Sequence, residues 1–491
     1  MDPLRAIVLR FTNDSAHAAL ERVMAQRPFA FCASVGFVRR TYAVHADAQP
    51  WFPSSAVRSC LYDGVDFNTL LPLDEALIES MRGHEAVFMR LVTRLEYART
   101  IPYDERKRMY FMHLRFWNDF LERQRITLFL SGILPHEIPD YLIYGLCRLK
   151  KIPTLILHAS TIPDCAFLTE DIEASAVHVR DRYQELLADP PSAVRLSAIF
   201  EEYFARQTQS VGKQPITFRR PTALDRILDA VRRRTIRSFI AFVRWLSTLF
   251  SWRAWRRRAQ KVSSARERAR LARVYDALAV DPDFTHPYVY APLQFQPECS
   301  TLPMAGAYVD QAMTMQLLSQ CLPAGVLLYV KEHPRQRTKG TACRSASFYR
   351  SLAALPNVRL IRHDTSSFAL REHCRAVATG TGTAGFEAIF RGKPTLLFGH
   401  CFYQYAPGVY PIRTAADCRN AIDSIFQRGE HPAPKHVRLY LRAMEETCVR
   451  ASVNEWHRAQ ASHTSFEENT AAIASALQQR IMTLYRVTNP L

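Results

Sequence analysis

Two blocks of this 491-residue chain alternate short apolar runs with helix-periodic stretches, and no other feature restricts the fold as much. In the first block, Ile126-Thr127-Leu128-Phe129-Leu130 ends at Ser131-Gly132, a helical pattern covers Tyr141 to Lys151, and Thr154-Leu155-Ile156-Leu157-His158 is a second apolar run. A strand, a crossover of that length and another strand pair in parallel, whereas a tight hairpin joins only antiparallel neighbours. The second block has five such runs: Tyr288–Leu293, Gly325–Val330, Val358–Ile361, Ala376–Thr379 and Pro394–Phe398. Helical stretches separate them, the clearest being Val309–Leu322. The pattern predicts an α/β protein with two doubly wound units, 1–205 and 283–435, a helical insertion at 206–282 and a helical tail at 436–491. Such a pair leaves a cleft between the units, a common place for a ligand.

Charge distinguishes the insertion from the rest. The chain has 64 Lys and Arg against 46 Asp and Glu, a formal balance of +18. Residues 219–275 alone hold 17 of the basic residues and only Asp225, Asp229 and Glu267 as acids, so most of the surplus sits there. Aromatic residues lie among the arginines, as in Phe239-Ile240-Ala241-Phe242-Val243-Arg244-Trp245-Leu246. Arg on one face and Trp and Phe on another suit an anionic membrane surface. A bridge between the two units and a nucleic-acid contact are the other readings, with nucleic acid the least favoured. A 48% hydrophobic and 22% charged composition excludes a disordered or collagen-like chain. No apolar run is long enough to span a bilayer, and Met1–Arg10 lacks a signal-peptide core. The 11 cysteines are scattered with no CxxC pair, so free thiols in a reducing cytoplasm are expected.

Two clusters carry candidate chemistry. Thr379-Gly380-Thr381-Gly382-Thr383-Ala384-Gly385-Phe386-Glu387 follows a strand and opens a helix. There, small residues, first-turn N–H groups and the hydroxyls of Thr381 and Thr383 suit an anion. Glu387, one turn on, is a candidate for paired ribose hydroxyls. In Lys331-Glu332-His333-Pro334-Arg335, the residues Lys331, His333 and Arg335 stand at a strand's carboxyl end, where three cations can meet phosphate. Turn chemistry and a solvated basic loop are the plain alternatives for these clusters.

These stretches, together with Tyr290-Ala291-Pro292-Leu293-Gln294-Phe295-Gln296-Pro297-Glu298, Gly392-Lys393-Pro394 and Phe398-Gly399, resemble the capsular polysaccharide biosynthesis family. Leu134-Pro135-His136-Glu137 with Asp140-Tyr141 extends the resemblance into the first block. His333-Pro334 is similar to the His-Pro motif of bacterial sialyl- and polysialyltransferases, and Thr381 and Thr383 resemble their Ser/Thr phosphate motif. The resemblance implies a cytoplasmic GT-B-like glycosyltransferase of two Rossmann-like domains, with the nucleotide-sugar site in 283–435 and the acceptor site in 1–205. Lys331, His333, Arg335, Thr381, Gly382, Thr383, Glu387 and Glu298 are its expected donor-site residues. A CMP-linked acidic sugar is the preferred donor and a UDP-sugar the next. A glycan or lipid-linked primer is the expected acceptor, on the inner face of the membrane.

The chain lacks the Asp/Glu-Asp/Glu-Gly motif of those enzymes, so the base is read from the residues themselves. Acceptor deprotonation needs a basic group in the cleft. Glu137 is the first choice and His136 the alternative, while Glu137 as a helix cap remains open. No metal or cofactor is expected: the sole Asp-x-Asp, Asp281-Pro282-Asp283, precedes a strand and reads as a turn. There is no G-x-S-x-G elbow and no P-loop. A nucleotide-sugar epimerase or hydrolase, and a non-catalytic polysaccharide assembly or export factor, are the rival functions.

Overall fold

The computed structural model describes residues 4–42, 44, 49–96, 100–209, 252–339, 343–454 and 462–487. The first sheet contains β1 (Arg5–Leu9), β2 (Phe31–Gly36), β3 (Trp51–Pro53), β4 (Leu128–Ser131), β5 (Thr154–Ala159) and β6 (Ala166–Thr169). The second contains β7 (Tyr288–Pro292), β8 (Leu327–Lys331), β9 (Val358–Leu360), β10 (Ala376–Thr379), β11 (Thr395–Leu397) and β12 (Val409–Pro411). Their orders are β3-β2-β1-β4-β5-β6 and β12-β11-β10-β7-β8-β9. Read within each unit, both are the doubly wound order 3-2-1-4-5-6, which reverses between the first and fourth strands. Only β6 runs antiparallel to its neighbour. The α/β class, with two Rossmann-like units facing a cleft in a GT-B-like arrangement, is as expected.

The central strands are apolar without alternation because helices cover both faces. Ala6, Ile7, Val8 and Leu9 of β1 are each at most 1% exposed. One face of the first sheet packs on the helices Tyr103–Arg123 and Ile138–Leu149. Its other face packs on Asp14–Gln26 and on Phe466–Val487 from the chain's tail. The tail therefore returns to the first unit, and its earlier helix Pro434–Thr447 lies against Val177–Ala188.

Of the basic segment, 210–251 lies outside the described residues, including the aromatic-arginine run 239–246 and the greater part of the expected membrane contact. The helix Trp252–Leu278 is described, and its C-terminal end belongs to the second unit. Leu271 and Tyr275 are buried against Val289, Leu328 and Leu352, and the Tyr275 hydroxyl donates to the Ile361 carbonyl at 2.6 Å. The loop after β7 does the reverse. Leu302, Met304, Ala305 and Val309 leave their own unit and join the core of the first. Arg94 fixes this crossing by donating to the Leu302 carbonyl at 2.8 Å.

Candidate functional site

Both points of strand-order reversal open onto one cavity of about 700 Å³. In open α/β sheets that crevice at the carboxyl edge is where ligands bind. The first sheet contributes Thr12 and Asn13 after β1, and Gly132, Leu134 and His136 after β4. The second contributes Glu298 and Ser300 after β7, and Thr381 and Thr383 after β10. Gly132 is required by the approach of the chain to itself, since a Cβ there would lie 2.6 Å from the Arg10 carbonyl oxygen.

His136 is the best-defined reactive group on the first wall. Its Nδ1 lies 2.7 Å from the Leu134 carbonyl. A carbonyl only accepts, so Nδ1 carries the proton and the neutral ring keeps its lone pair on Nε2. Burial holds the His136 pKa below the usual 6.5, and Arg94 and Arg10 add to the depression. The ring is therefore neutral near pH 7, with its basic nitrogen unprotonated. Glu137, the next residue, goes elsewhere. It occupies the N-cap of Ile138–Leu149 without a side-chain cap bond, and its carboxylate lies 3.4 Å from Arg58 and 3.6 Å from Arg94, off the cavity wall.

The second wall is partly spent on itself. Thr381 N–H donates to Gln294 Oε1 at 3.2 Å and its hydroxyl donates to the Ser300 carbonyl at 2.5 Å. Gly382 N–H donates to Thr379 Oγ1 at 3.0 Å. A Cβ at Gly380 would meet Gln294 Oε1 at 2.3 Å, and one at Gly385 would meet the Tyr403 hydroxyl at 2.8 Å, so these glycines make room for protein groups. Thr383, exposed at the start of Thr383–Ile389, is left with its hydroxyl on the cavity.

The structure brings together His136, Glu298, Thr381 and Thr383, and sets the other expected residues apart from that wall. Lys331 is buried, with Nζ donating to the Thr365 carbonyl and, at 3.0 Å, to Ser367 Oγ, and burial lowers its pKa. Glu387 pairs with Arg371 and is not among the residues lining the cavity. Arg335 reaches the cavity rim only through Glu298, at 3.3 Å. His333 accepts the Arg335 N–H on Nδ1 at 3.1 Å, so in its neutral form Nε2 carries the proton and is a donor. Burial lowers its pKa, which makes it a neutral donor rather than a cation. Asp283 accepts from Thr285 and His286 in a turn at the opposite edge of the sheet. Among the described residues, no three of His, Cys, Asp or Glu form a metal-holding group.

Sequence reasoning missed the residue that organises this wall. Arg344, 1% exposed in its side chain, pairs with Glu332, also 1%, with its Nε 2.7 Å from Oε2. It also donates to Gln296 Oε1 at 2.7 Å and to the Gln294 carbonyl at 3.1 Å. Glu332 in turn accepts from the Tyr349 hydroxyl at 2.7 Å and from the His333 N–H at 2.6 Å. The carboxyl ends of β7 and β8 are thus tied together by one guanidinium. His158, read as the end of a strand, and His400, not singled out from the sequence, also lie on the cavity. Burial brings His158 down to about 4 and also lowers His400. A polar residue at the end of an apolar run was the only local signal for His158.

Residues 285–428, most of the second unit, match the family model described as capsule polysaccharide biosynthesis protein. Among curated proteins none matches the chain. Among solved structures, the beta Kdo 2,7 transferase KpsC of Thermosulfurimonas dismutans is similar at 11% identity and TM-score 0.30, covering 79% of this chain and 96% of its own. The UDP-GlcNAc 2-epimerase of Methanocaldococcus jannaschii is similar at 8% identity and TM-score 0.24, with 88% and 95% covered. Sucrose-phosphate synthase of Thermosynechococcus elongatus gives 11% identity and TM-score 0.26, with 98% and 100% covered. At those scores the likenesses carry no argument about activity, and what the chain shares by sequence with a known family is the matched segment of its second unit.

Proposed function

We propose that this protein is a nucleotide-sugar-dependent glycosyltransferase that extends a capsular or other surface polysaccharide, or its lipid-linked primer. One observation carries the reading: a single cavity joins the ligand-binding edges of two doubly wound sheets, with a neutral, base-ready His136 on one wall and Thr383 on the other. The match of 285–428 to capsule polysaccharide biosynthesis proteins supports the direction. In this scheme His136 Nε2 takes the proton of the acceptor hydroxyl as its oxygen bonds to the anomeric carbon. The bond from that carbon to the donor phosphate breaks, and its electrons leave with the phosphate. Thr383, on the opposite wall, meets the charge on the departing phosphate, the place where preorganised donors lower a barrier most. Glu137, held by two arginines, fits a structural role better than that of base. The preferred donor remains a CMP-linked acidic sugar and the next a UDP-sugar, on the His333-Pro334 resemblance.

The deciding experiment is a thermal-shift panel of CMP, UDP, GDP and their sugars, followed by turnover with and without a glycan acceptor. Stabilisation by one nucleotide and acceptor-dependent release of it support the transferase. Turnover without acceptor points to an epimerase or hydrolase, and no nucleotide binding points to a non-catalytic assembly factor. We place the protein at the inner membrane surface through 219–275, whose charge supports contact with anionic lipid. Among the described residues no helix is long and apolar enough to cross a membrane. Co-sedimentation with anionic but not zwitterionic vesicles tests the contact, and equal recovery with both refutes it.

A further inference from the structure

We infer that a second cavity, between the helix Arg82–Leu91 and the loop after β7, holds the sugar units behind the acceptor's reacting end. Calling the ligand an acceptor rests on the transferase reading; the sugar site itself rests on geometry. This chamber has a volume of about 410 Å³, within the range of about 300–1,000 Å³ usual for small-molecule sites. Met304 and His400 line both it and the main cavity, so the two spaces meet at those residues. The other end is at the surface. Ala86, Arg90, Glu173 and Ala307 on its lining are exposed, whereas Tyr141 and Met304 are only 8% and 4% exposed. In the proposed arrangement the reacting end of a sugar chain lies in the main cavity, and the next units pass Met304 and lead out to solvent.

The walls carry groups suited to a sugar ring and leave them unspent. The Tyr141 hydroxyl has no hydrogen-bond partner among the described residues and is not sealed from solvent, although the residue is more than nine-tenths buried. A ligand oxygen can take the place of water there. His84 lies beside it with ring centroids 5.4 Å apart, and its two nitrogens also lack partners among the described residues. The fold makes room for that ring: a Cβ at Gly145, inside Ile138–Leu149, would lie 2.3 Å from His84 Cδ2. A mid-helix glycine costs stability against alanine, and the space it leaves here is filled by the imidazole. Arg90 and Glu173 have no ion pair among the described residues. Burial lowers the His84 pKa and raises that of Tyr141, and in both the next influence is the Glu173 carboxylate, so the three groups stand together. Leu302 and Met304 add apolar surface. Charged groups for the hydroxyls, with aromatic and apolar ones for the C–H face, are the combination a pyranose ring requires.

The test uses Ala86→Trp, which fills the chamber from an exposed helix position, and Tyr141→Phe, which deletes one hydroxyl. Fragments of one to six units, hydrolysed from the producing cell's own surface polysaccharide, are titrated against the full chain by saturation-transfer NMR. The native protein should bind fragments of two or more units at least tenfold tighter than single units. Ala86→Trp should erase that gain and Tyr141→Phe should reduce it about threefold, with thermal unfolding unchanged. Equal binding of single units and longer fragments, a gain that survives either variant, or no binding of any fragment overturns the subsite. CMP and UDP form the separating arm. If no nucleotide binds while the length gain is present, the transferase reading falls and the sugar site stands; if nucleotide binding is normal while the length gain is absent, only the subsite falls.

Discussion

Replacing Arg344 with leucine isolates the force that shapes the second wall. Arg344 and Glu332 are each 1% exposed, so the variant leaves a carboxylate buried with only the Tyr349 hydroxyl and the His333 N–H to face it. Removing one partner of a buried pair costs about 3–5 kcal/mol. The lost bonds to Gln296 Oε1 and the Gln294 carbonyl, on residues 5% and 9% exposed, push towards the upper end. For a unit of this size roughly 2–4 °C is lost per kcal/mol, so the midpoint should fall by about 6–20 °C in a fluorescence melt or the matching urea titration. The double variant Arg344→Leu/Glu332→Leu decides the cause. Two apolar side chains in place of a buried pair are often neutral or stabilising. The double variant should therefore recover most of the loss while nucleotide affinity stays weakened, because Gln294 no longer has its tie behind Thr381. A double variant no more stable than the single one refutes the reasoning. It would show that the ties to the β7 loop, and not the stranded charge, set the cost.

Three further outcomes follow from the same structure. His136→Asn should lower transfer at least a hundredfold with nucleotide affinity unchanged; because the native pKa is held below 6.5, the native rate should be level around neutrality and fall only on the acid side. His113 and His158, held down to about 3 and about 4 by burial, stay neutral in the fold at pH values where the unfolded chain protonates them near 6.5. Stability is then at its full value above pH 6.5 and drops as pH falls towards those values, by roughly 1.4 kcal/mol per pH unit for each, and His113→Gln should flatten a urea-unfolding series over that window. Gly399→Ala should destabilise by about 1–3 kcal/mol in thermal melts, since its Cβ would lie 2.6 Å from the Met304 carbonyl oxygen and 2.8 Å from that of Gly380, two backbone atoms that yield little.

The sheets were legible wherever burial on both faces made a strand a continuous apolar run, as at β4, β5, β7, β8 and β10. β3 and β12 are edge strands that end in proline and have no fully buried residue, so neither leaves the apolar run of a strand covered on both faces. β1 has the right composition but sits at the start of the sequence, where Arg5–Leu9 was weighed as a signal segment and not as a central strand. The candidate site was legible as an edge and not as a set of contacts. Thr381 and Thr383 do lie at the cavity, yet Gly380 and Gly385 beside them answer to Gln294 and Tyr403, away in sequence. His136 and Glu137 are neighbours in the chain and diverge in space, because Arg58 and Arg94 draw the carboxylate away. The Arg344–Glu332 pair joins a loop residue to a strand end, and no local spacing announces which carboxylate a buried arginine will choose.

The loop that carries Leu302 and Met304 into the first unit's core acts as a latch on the cleft. Swinging the units apart there would expose both side chains, at roughly 1.5–3 kcal/mol each. A wide-open form reached by that route is then populated below about one molecule in a hundred. Substrates must pass through the standing mouth of the cavity, or wait for the latch. The pace of exchange, and with it the turnover ceiling, is therefore tunable by the size of residues 302 and 304, the second of which also lines the cavity.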